Sequence, residues 1–222
     1  MNAFARLLLC TALSGLALGA QARTFEVSDF AELDDAVIEA EDGDEIVIKK
    51  GVYELEAPLE IFSRVTVRGE QGAVIDAGGR GSGFIVRVPK VRIENLTVRN
   101  YGGDLYARDA GVMVGDGADG TELVNLTLQG PGFGVRADRM NALVVEGCTI
   151  EGDAARHVLD RGDGIFLSYV KNARLNHNSL RNVRDGYYLE NVDAAKSDFN
   201  YFTGAQYGIH YKIGRASCRE RV

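Results

Sequence analysis

Two aspartates are the residues of this chain whose type and spacing best suit acid–base chemistry. Asp163 and Asp185 each stand directly before a glycine, and Arg161 and Arg184 lie close to them. If the chain repeats with the spacing of these aspartates, their carboxylates lie on neighbouring repeats about 5 Å apart, a pairing that can serve a glycosidase or hold Ca²⁺ in a polysaccharide lyase. The alternative is turn chemistry, because Asp-Gly is a favoured turn dipeptide and a nearby arginine can neutralise each carboxylate.

The histidines offer metal-binding atoms without a recognisable ligand spacing. No H-x-H, C-x-x-C or H-E-x-x-H pattern includes His157, His177 or His210. In the repeat described below, Met113 and His210 both face outward but lie four repeats apart, roughly 19 Å at the spacing of paired strands. They cannot share a metal ion. We predict His210 as a metal ligand, completed by residues beyond this segment, with a hydrogen-bonding surface role as the alternative for each histidine.

The elements that position these residues form a repeat. A glycine followed by an apolar residue returns every 22 or 23 residues, with one interval of 30, and a second apolar marker follows the same rhythm. The glycine markers are Gly111, Gly134, Gly164, Gly186 and Gly208, and the second markers are Val98, Leu128, Ile150, Leu180 and Phe202. Two markers with a common period predict a solenoid, in which each structural unit stacks on the one before it.

The pattern inside each repeat indicates strands. Apolar and polar residues alternate over runs of three to five positions, as in Val91–Ile93 and Ile165–Leu167, and the 27 glycines disfavour helices. We therefore predict an all-β parallel β-helix with rungs of 22–23 residues. His177 is expected on a strand from Arg174 to Leu180. Before the first rung, residues 29–40 predict a short amphipathic capping helix, with Asp29 and Glu32 placed as a capping box.

One inward column contains polar residues. It consists of Leu96, Leu126, Cys148, Asn178 and Asn200. We expect the two asparagines to stack their side-chain amides one strand spacing apart and to be satisfied by each other and by turn backbone. Cys148 is expected to be a small buried apolar residue.

The two ends differ from the rest of the chain. Residues 1–22 have an early arginine, an apolar stretch and an A-x-A cleavage site, which predicts a cleaved secretory signal peptide too short to span a membrane. Residues 213–222 abandon the strand pattern and look like the translation of a sequencing-library adapter, so we expect a natural chain truncated near Tyr211. The β-helix domain is then 23–212.

The charge of the chain limits its partners. The formal net charge is −7, and the segment between the two ends is more acidic still. Such a balance argues against nucleic acid or an anionic membrane surface as a partner. Only Cys148 remains in that segment, so no internal disulfide is expected despite export.

A series of motifs resembles the NosD-type periplasmic β-helix proteins. The series is R-G-D-G-I from Arg161, R-D-G-Y from Arg184 and G-I-H-Y from Gly208, in the order found in that family. The resemblance covers most of 44–211. It implies a right-handed parallel β-helix that is a periplasmic accessory protein of an ABC transporter, and that assists assembly of the copper centre of nitrous oxide reductase by binding and delivery rather than catalysis.

The resemblance also implies the partners and the ligand. The partners would be the membrane and ATPase subunits of the transporter, and nitrous oxide reductase or a copper chaperone. Copper would be held by soft or imidazole ligands, and His210 and Tyr211 match the family's His-Tyr-Met motif, whereas its methionine is absent here. Two alternatives remain. One is a carbohydrate-active lyase, epimerase or hydrolase that uses Asp163, Asp185, Arg161 and Arg184, and the other is a structural solenoid without small-molecule chemistry.

Overall fold

The computed structural model describes residues 21–212. The predicted signal peptide, apart from Gln21 and Ala22, and the C-terminal segment 213–222 lie outside the described residues. Within the described part, no helix is long and apolar enough to cross a membrane.

The described chain winds into a coil with three parallel sheets. The first sheet contains β1 (Thr24–Val27), β2 (Glu45–Ile48), β5 (Thr66–Gly69), β8 (Arg92–Glu94), β11 (Glu122–Val124), β14 (Val144–Glu146), β17 (Arg174–Asn176) and β20 (Lys196–Asp198). The second contains β3 (Gly51–Glu54), β6 (Ala73–Asp76), β9 (Thr97–Arg99), β12 (Thr127–Gln129), β15 (Thr149–Glu151), β18 (Ser179–Arg181) and β21 (Tyr201–Thr203). The third contains β4 (Leu59–Ile61), β7 (Phe84–Val86), β10 (Ala110–Val114), β13 (Phe133–Asp138), β16 (Ile165–Ser168), β19 (Asp185–Glu190) and β22 (Tyr207–Lys212). The predicted parallel β-helix is confirmed, because each rung contributes one strand to each sheet.

The register confirms both apolar markers. In the third sheet, Val112 pairs with Val135, and the column continues through Ile165, Tyr187 and Ile209. In the second sheet, Val98 pairs with Leu128, and the column continues through Ile150, Leu180 and Phe202. The first four members of each column are fully buried. Side chains alternate between the two faces of a strand, so a marker that repeats once per rung fills a continuous apolar interior.

The N-terminal end carries the predicted helix. Helix α1 (Phe30–Glu39) begins at Asp29, whose carboxylate accepts a hydrogen bond from the Glu32 backbone N–H at 2.9 Å. The carboxylate of Glu32 accepts one from the Ser28 backbone N–H. The buried Leu33 and Ala36 face the first rungs, so the apolar stripe of the helix covers the end of the coil.

Asn178 is buried as predicted, whereas Asn200 is only half-buried, and their hydrogen bonds differ in part from the prediction. Asn178 accepts from the backbone N–H of Cys148 and donates to the Val145 carbonyl and the Tyr187 hydroxyl. Asn200 accepts from the Asn178 backbone N–H in the same way. The predicted satisfaction by backbone is therefore confirmed, whereas the expected hydrogen bonding between the two amides was wrong, because each amide reaches the backbone of the preceding rung. Cys148 is buried in this column, which raises the pKa of its thiol to about 11 and makes it unreactive.

The corner between the first and second sheets explains a further difference. Its residues all have positive φ, in the sequence Asn95, Asn125, Gly147, His177 and Phe199. Asparagine and glycine adopt this left-handed conformation most easily. His177 therefore forms the corner between β17 and β18 rather than part of a continuous strand, and its ring stacks on Phe199.

Candidate functional site on the outer face of the third sheet

A file of side chains runs along the outer face of the third sheet. Met113, Arg136, Phe166, Tyr188 and His210 are paired in register. The Arg136 guanidinium lies 4.2 Å from the Phe166 ring centroid, Phe166 stacks on Tyr188 at 5.0 Å, and Tyr188 lies 4.7 Å from His210. The sequence predicted the outward file but not these contacts, which join four of its members into one surface. The signal that would have revealed them is the aromatic type that recurs directly after the Gly-apolar pair.

Asp163, two residues before β16, forms an ion pair with Arg184. The guanidinium donates from Nε and Nη2 to the two carboxylate oxygens at 2.9 and 2.6 Å, and the Asp163 side chain is fully buried. Burial raises the pKa of the Asp163 carboxyl above its ordinary value, against the opposing effect of Arg184. The predicted neighbouring arginine is therefore present, and it closes Asp163 off from solvent.

Asp185 lies one rung further along and pairs with a histidine. Its backbone N–H donates to Asp163 Oδ1 at 3.2 Å, which confirms that the two aspartates are neighbours. Its Oδ2 lies 2.9 Å from His210 Nδ1, whereas its Oδ1 is buried without a hydrogen-bond partner in the described chain. The sequence pattern does not predict this contact. It brings together the predicted metal ligand and a member of the predicted acidic pair.

Arg161 does not flank the aspartates as the sequence suggested. Its guanidinium donates to the backbone carbonyls of Ala154, Arg156 and Gly204. The expected pairing with a carboxylate was wrong, because two of these carbonyls belong to the insertion 152–161 before β16, in which Arg161 itself lies. Arg161 thus fastens this insertion to the rest of the coil.

A groove of about 680 Å³ lies beside Arg184, the ion-pair partner of Asp163. One wall is the loop 103–106 before β10, and the other is formed by Arg156, Leu159 and Asp160 of the insertion. Phe133 and Arg184 also line it. Both walls are held by local hydrogen bonds, since Asp104 accepts from the Tyr106 and Ala107 backbone and His157 Nδ1 accepts from the Leu159 backbone. The groove is therefore a formed feature of the site.

The remaining candidate ligands are dispersed. Met113 is four rungs from His210, as predicted, with Arg136, Phe166 and Tyr188 between them. His157 caps the short 3₁₀ helix Val158–Asp160 in the insertion. Among residues 21–212, no three His, Cys, Asp or Glu side chains are grouped so that they could hold a metal ion.

The coil of stacked parallel strands defines the class of protein as a parallel β-helix. Residues 56–218 match the family described as the right handed beta helix region, and the chain belongs to this family. The predicted handedness and fold class are confirmed.

Within that class, the chain is similar to two NosD proteins, whose names describe them as ABC transporter binding proteins. The NosD protein of Stutzerimonas stutzeri is 39% identical over 137 residues, which make up 62% of this chain and 30% of that protein. The NosD protein of Pseudomonas aeruginosa is 36% identical over 136 residues, with 61% and 30% coverage. The matched segment thus spans less than a third of either relative. The predicted resemblance to NosD is confirmed.

A solved structure supports the fold alone. A Parabacteroides merdae protein provisionally named a glycosyl hydrolase superposes with a TM-score of 0.56 at 12% identity. The superposition covers 83% of this chain and 96% of that one. At that identity the likeness concerns the coil and not the chemistry.

Proposed function

We propose that this chain is part of a periplasmic accessory protein of an ABC transporter, and that it assists assembly of the copper centre of nitrous oxide reductase. The observation that carries this proposal is the 39% identity to a NosD protein named as an ABC transporter binding protein. The partners are the membrane and ATPase subunits of the transporter, and the reductase or a copper chaperone.

The geometry of the site suits binding better than catalysis. Asp163 and Asp185 are both buried, one under Arg184 and the other under His210. The His210 side chain is 39% exposed, and its Nε2 makes no hydrogen bond to the described residues, so it suits contact with copper, which is the cargo in this role. One imidazole makes an incomplete site, so the partner or another part of the protein supplies the remaining ligands.

Deletion of the gene tests the role directly. We expect nitrous oxide reductase purified from the deletion strain to contain less copper than the wild-type enzyme, and to regain it when the gene is restored. Copper content and the visible absorption spectrum of the reductase are the measurements. A fully copper-loaded reductase in the deletion strain would contradict the proposal.

The groove favours one second candidate, a carbohydrate-active enzyme. The groove of about 680 Å³ is lined by Arg184, which covers Asp163, and pockets and acidic groups with a raised pKa are both common in active sites. In this case Asp163 would become accessible only when Arg184 moves aside. We expect any depolymerisation of acidic polysaccharides to disappear in Asp163→Asn and to persist in Asp42→Asn, an exposed aspartate paired with Arg64. Absence of activity in the unaltered protein would eliminate this candidate.

A further inference from the structure

The two nitrogen atoms of the His210 ring have different surroundings. Nδ1 faces Asp185 Oδ2 at 2.9 Å, and Nε2 makes no hydrogen bond within residues 21–212. A carboxylate oxygen in this position accepts the hydrogen bond, so Nδ1 is the donor and the ring proton belongs on it. The lone pair of the ring is then on Nε2.

Asp185 is held firmly enough to impose this arrangement. Its side chain is 3% exposed, and its strand is paired on both sides, by β16 and by β22. The neighbouring Arg184 donates to both oxygens of Asp163, and no ion pair joins it to Asp185. His210 is therefore the one side chain that pairs with the Asp185 carboxylate in the described chain, and Oδ1 of Asp185 stays unpartnered and buried.

The geometry points to Asp185 as a positioning residue that holds His210 with Nε2 presented as an anchoring ligand for Cu(I). This inference rests on the proposed function and names how the site takes its cargo. Metal-binding histidines commonly donate their second ring N–H to a carboxylate, which orients the ring and makes the other nitrogen more basic. His210 lies on the last described rung, where Tyr207, Ile209 and Tyr211 line an open hollow of about 270 Å³ with it.

The tautomer of His210 is tested before any metal is added. The ¹⁵N chemical shifts of the imidazoles are recorded on the full chain at a pH where they are neutral, with His210→Gln to assign the signals. We expect the proton on Nδ1 of His210 and a deprotonated Nε2. In Asp185→Asn, which keeps the shape of the side chain, we expect a mixture of tautomers. A wild-type ring protonated on Nε2 would overturn the inference.

Titration with Cu(I) alone, under anaerobic conditions against a competing chelator, tests the anchoring role. We expect Asp185→Asn to weaken Cu(I) binding roughly 10- to 100-fold, and His210→Gln to weaken it at least as much. Asp193→Asn, which alters an exposed aspartate, serves as the matched control and should bind like the wild-type protein. Equal affinity in Asp185→Asn and wild type, or no Cu(I) binding by the wild type, would refute the anchoring role.

The two proposals fail in different ways. Normal copper loading of the reductase without this protein would end the proposed function but would leave the tautomer of His210 as measured. A wrong tautomer, or an Asp185→Asn variant with unchanged Cu(I) affinity, would end the positioning role while a requirement in reductase maturation stood.

Discussion

Replacement of Arg184 with methionine is expected to lower the free energy of unfolding by on the order of 3–5 kcal/mol at neutral pH. The reason is that Asp163 is fully buried and Arg184 donates to both of its oxygens, so the variant leaves a buried carboxylate without its partner. Methionine keeps much of the apolar volume of the arginine stem, which isolates the loss of the charge. Urea unfolding at pH 7 measures the effect.

The pH dependence of this loss has a definite sign. The pKa of Asp163 in the folded protein is raised by burial, so the stability that this group contributes falls as the pH rises from the unfolded pKa to the folded one. Removal of Arg184 raises the folded pKa of Asp163 further. The loss in free energy of unfolding caused by Arg184→Met should therefore be largest at neutral pH. It should shrink as the pH falls towards the carboxyl pKa of the unfolded chain, about 3.9.

An exposed ion pair provides the matched control. Arg139 pairs with Asp116 at 2.7 Å, and both side chains are 60% exposed. Arg139→Met should cost less than about 1 kcal/mol and should show little change between pH 7 and pH 5. If Arg184→Met were no more destabilising than Arg139→Met, the buried pair would not have the energetic role assigned to it here.

Replacement of Gly162 with alanine is expected to destabilise the protein by more than about 3 kcal/mol, at the upper end of the cost of overpacking. An added Cβ would lie 2.1 Å from the carbonyl carbon and oxygen of Gly132 and 2.5 Å from the backbone nitrogen of Phe133. These atoms belong to the backbone of the rung below and cannot rotate away as a flexible side chain can. The insertion that forms one wall of the groove would have to shift.

Gly51 provides the control that separates the steric clash at Gly162 from the general cost of adding a methyl group. At Gly51, in β3, an added Cβ would meet its nearest atom at 3.4 Å, on the ring of Tyr53. Gly51→Ala should change the free energy of unfolding by no more than about 1 kcal/mol. Urea unfolding of both variants measures the difference, and equal stabilities would contradict the close packing of rungs at Gly162.

The fold could be predicted from the sequence because each rung needs apolar residues at the same inward positions. Strand side chains alternate between two faces, so an apolar residue that returns once per rung must fill the same interior column. This alternation predicts that the column beginning at Val112 lies in the core and that Asp163 lies beside Asp185. The strand register and the hydrogen bond between the two aspartates confirm both predictions. The capping helix was equally accessible, because Asp29 satisfies backbone donors within its own first turn.

Corners and polar contacts were harder to predict. His177 interrupts a run that reads as one strand, and its left-handed backbone follows from the corner at which the coil turns between two sheets. Asn178 was placed inside correctly and Asn200 is half-buried, but a side-chain amide can turn to several hydrogen-bond partners. The choice of backbone over a neighbouring amide depends on distances that a linear pattern does not contain.

The site itself depends on contacts outside the repeat. Periodicity predicts which residues face outward and which rungs they occupy, and so places Asp185 and His210 one rung apart. Only the tertiary structure shows that Arg184 pairs with Asp163, that Asp185 is left for His210, and that Arg161 turns to backbone carbonyls instead. The physical reason is that long polar side chains have many rotamers of similar energy, and the path of the inserted loop decides which partner lies within reach.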